Sequence, residues 1–154
     1  MRLRLLLFGF LFFTVVNVLS AKYPYYVQTK DGVIFFTDSS LTGFSGAVKL
    51  EVVSDNIIRI VATAGKEISE RESLITVYKK EPGVTWQITP SKDKISLKTK
   101  ALTAIVNRKT GAVSFYDAKG NKILDEKPIG GRSFKPAVFD GERFYSLTQT
   151  FQSN

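Results

Sequence analysis

The residues that could carry chemistry are few in this chain of 154 residues, which has no His and no Cys. Without Cys there is no thiolate nucleophile, no thiolate metal site and no disulfide. Without His the commonest neutral-pH base and zinc ligand are missing, and a Ser-His-Asp relay cannot be built. Reaction chemistry must then rest on carboxylates, Lys or Tyr. Glycoside hydrolysis runs on carboxylates, and needs two of them about 5–9 Å apart across a sugar. The chain has 14 acidic residues. Asp31, Asp55, Asp93, Asp117 and Asp140 each fall in or beside a turn signal, where Asp satisfies local backbone donors. No residue is singled out as catalytic, and no metal ligand set or cofactor is expected.

Sugar binding is the other chemistry on offer. The rings of Tyr23, Tyr25, Tyr26, Phe35, Phe36 and Trp86 could stack on the apolar side of a pyranose. Trp86, the single Trp, is the best platform and the candidate substrate-binding residue. It lies in the run Val84 to Thr89 (VTWQIT) and is read on the face opposite Val84 and Ile88. The competing use of the ring is packing, in the core or at an interface. Gly130-Gly131-Arg132-Ser133 has the composition of a phosphate cradle, but no helix follows it, so a plain loop is expected. The net charge of +8 raises the question of nucleic acid. Lys49, Lys79, Lys80, Lys94, Lys98 and Lys100 are instead scattered over outward strand positions and turns, with acids between them. They read as solvated faces that discourage edge pairing, and no nucleic-acid partner is expected.

The first residues are organised for export. Arg2 and Arg4 precede the apolar run Leu5 to Val16, Asn17 interrupts it, and Ser20 and Ala21 are small. This is the pattern of a signal peptide over residues 1–21, cleaved after Ser20 or Ala21. An uncleaved anchor helix is the alternative, but spanning takes about 20 apolar residues and this run is shorter. A secreted or periplasmic location follows, with no membrane contact after cleavage. Loss of Arg2 and Arg4 leaves 20 basic residues against 14 acidic ones.

The elements that must position these side chains are strands. Tyr25 to Thr29, Val33 to Thr37, Ala47 to Val53 and Ile57 to Thr63 are short β-rich runs separated by turn residues. In AVKLEVV, Val48, Leu50 and Val52 alternate with Lys49 and Glu51, which predicts a half-buried strand hairpinned to the next run. Ser39 to Gly46 reads as a loop, and Ala64 to Glu72 as a polar stretch with room for a turn of helix. Leu74 to Tyr78, Val84 to Thr89, Lys94 to Thr99, Ala101 to Asn107, Ala112 to Tyr116 and Lys122 to Leu124 continue the series. Gly130 to Pro136 reads as a loop, and Arg143 to Phe151 as the last strand. Many short strands with frequent turn signals and no long helix predict an all-β antiparallel sandwich over residues 22–154.

Four strings carry a family resemblance: VKLEVVSDNIIRIVAT from Val48, SERESLITVYKK from Ser69, ALTAIVNRKTGAVSFYDAKGNKIL from Ala101, and FDGERFYSLTQTFQS from Phe139. Their order and spacing, over Tyr25 to Ser153, resemble the N-terminal domain of glycoside hydrolase family 31, the α-glucosidases and α-xylosidases. The resemblance implies a galactose mutarotase-like β-sandwich that packs against a (β/α)₈ barrel and sends one loop towards the sugar site. The family's catalytic carboxylates belong to that barrel, so none is carried over to a residue here. The chain is therefore expected to be a non-catalytic accessory domain whose missing partner is the catalytic barrel. A face lined by Phe134, Phe139, Phe144, Tyr145 and Phe151 is the expected contact. A free-standing secreted carbohydrate-binding module is the alternative, and an interaction domain working through an exposed strand edge is a third reading.

Overall fold

The computed structural model describes residues 25–37, 45–69 and 79–152. Turn chemistry divides these residues into short antiparallel units. The first four strands are β1 (Tyr26–Thr29), β2 (Gly32–Phe36), β3 (Ala47–Ser54) and β4 (Ile57–Thr63). They form one sheet in the order β1-β2-β3-β4, each strand antiparallel to its neighbour. Lys30-Asp31 and Asp55-Asn56 are its two-residue turns. A bulge between Val52 and Ser54 adds twist where β3 enters the second turn.

The next five strands are β5 (Gln87–Pro90), β6 (Lys94–Lys98), β7 (Leu102–Asn107), β8 (Val113–Asp117) and β9 (Lys122–Glu126). They form a meander, and β12 (Phe151–Gln152) closes its outer edge against β9. Gly111 and Gly120 hold φ of 69° and 86°, the left-handed conformation that these tight turns require. Between β9 and β12 the chain leaves the sheet as a ribbon of β10 (Arg132–Phe139) and β11 (Glu142–Gln149). The ribbon turns at Asp140-Gly141, both at positive φ, the twist that suits a two-residue hairpin.

The first two sheets face each other across one apolar layer. Val33, Phe35, Leu50 and Val52 come from the first sheet; Ile95, Leu97, Ala104, Val106 and Val113 come from the second. This is the predicted all-β sandwich. Burying side chains of this size stabilises by about 1.5–3 kcal/mol each. Polar stitches bind the sheets at their ends. Thr99 Oγ1 donates to the Asp55 carbonyl at 2.7 Å, and the Lys100 N–H donates to the Asp55 carboxylate at 3.2 Å. Elsewhere the Tyr25 hydroxyl donates to the Ser91 carbonyl at 3.0 Å, and the Arg108 guanidinium lies 4.0 Å from the Tyr25 ring centroid.

Four sequence expectations change. The AVKLEVV strand is not half-buried: Glu51 and Val53, on its supposed outer side, are buried as well. The 79–81 segment crosses beside it, where the Glu81 N–H donates to the Val53 carbonyl at 2.9 Å. The strand expected over Val84 to Thr89 begins only at Gln87. The loop expected over Gly130 to Pro136 is strand from Arg132 onward, because the Asp140-Gly141 turn folds it back on Glu142–Gln149. The possible helical turn is absent over Ala64 to Ser69; residues 70–72 and the strand expected over Leu74 to Tyr78 lie outside the described residues.

The interlayer predicts a sharp contrast in cost. Leu97→Ala should destabilise by about 2–5 kcal/mol. Ile129→Ala, at a side chain 72% exposed, should stay within about 0.5 kcal/mol. Urea unfolding followed by Trp fluorescence measures both; equal losses would mean that the interlayer is not the core.

Candidate functional site

Two carboxylate clusters are the places where reaction chemistry would be sought. The first lies on the outer side of the β1-β4 sheet. Asp31 sits in the β1–β2 turn, as its sequence suggested, but its side chain meets other elements rather than local backbone. Lys49 Nζ lies 3.2 Å from Asp31 and 3.6 Å from Glu51, and Arg59 Nη1 lies 3.0 Å from Glu51. Lys80 joins both carboxylates, reaching Glu51 at 2.6 Å and also pairing with Asp31. Burial acts to raise the Asp31 pKa, but donors from Lys80, Thr29 and Lys49 hold the carboxyl well below the usual range. The Asp31 hydrogen bond, with that of Glu51, raises Lys80 in turn. A glycosidase acid needs a carboxyl held protonated at working pH; Asp31 is pushed the opposite way. The arrangement clamps the 79–81 segment onto the sheet.

The second cluster stands at the root of the ribbon. Glu126, only 3% exposed, ends β9. One of its oxygens accepts the Val113 N–H at 3.0 Å, and the other accepts from Arg132 of β10 and Gln149 of β11. Four strands meet on this carboxylate. Both oxygens are committed to donors, which suits a bolt better than a nucleophile. The Gly130-Gly131-Arg132-Ser133 string lies here, in a shallow cleft. Its Arg132 is taken by Glu126, and a strand, not a helix, follows. A Cβ on Gly131 would stand 2.1 Å from the Lys127 carbonyl, so close backbone approach, not phosphate, accounts for this glycine.

Of the other carboxylates, Asp117 follows the turn reading, whereas Asp55 accepts from the distant Lys100 N–H and Asp125 lies within β9, paired with Lys122. Asp117 accepts the N–H groups of Lys119 and Asn121 at 2.9 and 2.8 Å, and the Asn121 side chain lowers its pKa first among several donors. Asp125 is lowered chiefly by Lys122, then by Ser114. Among the described residues no three of Asp, Glu, His or Cys gather as a metal site.

Trp86 does not lie opposite Val84 and Ile88. All three pack against the interlayer core from one side, since residues two apart share a face. The ring is half-buried, so its packing use is filled while part of it stays open to solvent. Phe35 is fully buried and Tyr25 is engaged by Arg108, which removes both as free platforms. Tyr23 lies outside the described residues.

The unsatisfied surface is the ribbon. Its register places Phe134, Pro136, Val138, Tyr145 and Leu147 on one face, and Ala137, Phe139 and Phe144 on the other. Of the aromatics expected at a contact face, Phe139, Phe144, Tyr145 and Phe151 are exposed, Phe139 by 77%. Phe134 is the correction: it is buried at 8%, edge-on to Tyr145 with ring centroids 6.2 Å apart. The ribbon's second strand was legible as Arg143 to Phe151, but its first was read in part as the loop Gly130 to Pro136, and Glu126 at its root was not foreseen. The signal for the ribbon was Asp140-Gly141 between apolar runs; nothing local pointed to Glu126.

Fold and site together define a β-sandwich domain with an apolar ribbon and two committed carboxylate clusters. No family sequence model matches the chain. Among solved structures it is similar to a GH31 α-xylosidase from Xanthomonas citri, at 34% identity and TM-score 0.69 over 83% of this chain and 14% of that one. A GH31 α-xylosidase from a soil metagenome, complexed with xylose, shares the fold at 20% identity and TM-score 0.62, over 84% of this chain and 20% of that one. Over most of its length the chain is similar to one part of these GH31 α-xylosidases, and it spans between a seventh and a fifth of their length.

Both clusters predict measurable costs. The Asp31 pKa is lower folded than unfolded, so its stabilisation is complete above about pH 4 and is lost as pH falls towards the folded value. Asp31→Asn should lower stability at pH 6 and make the decline below pH 4 shallower, read as urea midpoints; an unchanged acid limb would refute the clamp. Glu126→Ala leaves Arg132 buried without its counter-ion and should cost about 3–5 kcal/mol. Limited proteolysis should then cut the ribbon well before the sandwich unfolds.

Proposed function

We propose that this chain is the accessory β-sandwich of an exported α-glycosidase and that its ribbon seats against a catalytic domain supplied by another part of the enzyme. The observation that carries the reading is the partial match: most of this chain corresponds to only 14% of an α-xylosidase. The carboxylates support it, since the two clusters are consumed by ion pairs and backbone donors. The apolar ribbon supports it too. Exposed apolar patches on this scale mark interaction sites, and interfaces between domains of one chain are a common use. In this reading residues 1–21 are a cleaved signal peptide, and the whole enzyme acts on α-xylosides or α-glucosides outside the cytoplasm. Trp86 is the one candidate here for bordering a sugar, through the part of its ring that remains exposed.

The test uses the purified chain with aryl α-xyloside and aryl α-glucoside beside a buffer blank. No reporter sugar should be released. Because Trp86 is the single Trp, its fluorescence reports binding directly. An accessory domain should show no saturable change with xylose or glucose oligosaccharides. A saturable change abolished in Trp86→Phe would instead favour a carbohydrate-binding module, and turnover above the blank would overturn the non-catalytic reading.

A further inference from the structure

The ribbon has two edges as well as two faces, and the edges differ. The outer edge of β10 carries Pro136, which has no N–H to offer, next to exposed Lys135. Both features blunt strand addition. The outer edge of β11 reads ERFYSLTQ, with no Pro, one acid and one base, and all eight residues are exposed. Among the described residues its backbone pairs only with β10. The other edge strands offer less. β1 and β5 have four residues each, β5 ends on Pro90, and β12 has two. β4 has seven, but six of them are half-buried.

We infer that the free edge of β11 is a self-association surface, pairing antiparallel with β11 of a second copy about a two-fold axis through Ser146. The product is a four-stranded sheet in the order β10-β11-β11-β10. The side chains fit this register. Centred on Ser146, Tyr145 of one copy stands opposite Leu147 of the other, twice. Phe144 faces Thr148 and Arg143 faces Gln149, so no like charges meet. Centring on Tyr145 would set Arg143 against Leu147. Charge does not oppose the pairing: along the hairpin Lys135 and Arg143 offset Asp140 and Glu142, although the whole chain is +8. A two-stranded ribbon is marginal alone, and a four-stranded sheet is not. Because Pro136 and Lys135 guard the outer edges of the product, the assembly closes as a dimer and does not grow into a fibre. The inference uses the edge, not the faces assigned above to a catalytic domain, and stands independently of that assignment.

Sedimentation equilibrium of the purified chain tests it, with Ser146→Lys and Ser146→Glu as variants. The wild type should show a concentration-dependent monomer–dimer equilibrium that stops at the dimer. Each variant alone places like charges on the two-fold axis and should weaken dimerisation by about tenfold or more. An equimolar mixture of the two should restore a heterodimer. Trp86 emission unchanged from wild type would certify that the sandwich is intact in each. A wild type that stays monomeric, variants that dimerise as wild type does, a mixture without rescue, or open-ended aggregation would each overturn the inference. Neither glycosidase activity nor sugar binding enters these readouts.

Discussion

The constraint on which this domain depends is the single apolar layer between its two main sheets. The chain has no Cys, and so no disulfide to offset a weak core. The layer draws Phe35 and Leu50 from one sheet and Ile95, Leu97 and Val106 from the other, and each sheet is held in place chiefly by the other. The stitches at Thr99–Asp55 and Tyr25–Arg108 tie turns and connections, not strand centres. They fix how the sheets are aligned once the layer has formed.

Outside that layer, polar groups are used to attach things. The Asp31–Glu51 cluster holds a connecting segment against the outer side of one sheet through Lys80. Glu126 holds the ribbon to the other sheet by accepting from β8, β10 and β11 together. A buried ion pair contributes little net stability against an apolar substitute, but its geometry is specific. Both clusters fit that role. Among the described residues, the two acidic centres are thus matched by donors and ion pairs. Catalysis requires a carboxylate whose proton can move, and attachment requires one whose charge is fully matched.

The ribbon is where this domain's own physics stops short. Its faces carry apolar side chains that nothing in the described residues covers, and one of its edges is unguarded. The proposed packing on a catalytic domain and the proposed self-pairing draw on different parts of it, faces for one and edge for the other. Glu126 ties the ribbon to the sandwich for either use, since it accepts from β8, β10 and β11.

Sequence alone determined the class of fold, the hairpins over Ala47 to Thr63 and over Ala101 to Tyr116, and the apolar strand faces, because period-two alternation and turn residues act locally. It excluded His and Cys chemistry by composition. It also carried the likeness to GH31 enzymes, through the order of four strings. What it did not reveal depends on elements brought together from far apart. Glu51 looked like a solvent-facing strand residue until the 79–81 segment crossed over it. Glu126 had no local partner in sequence; its donors come from residues 113, 132 and 149. Trp86 was set on the wrong face, although residues two apart share one; Val84, Trp86 and Ile88 all pack against the interlayer core. Burial and partnership are properties of the assembled sheets, so only the tertiary structure could show which donors these carboxylates meet.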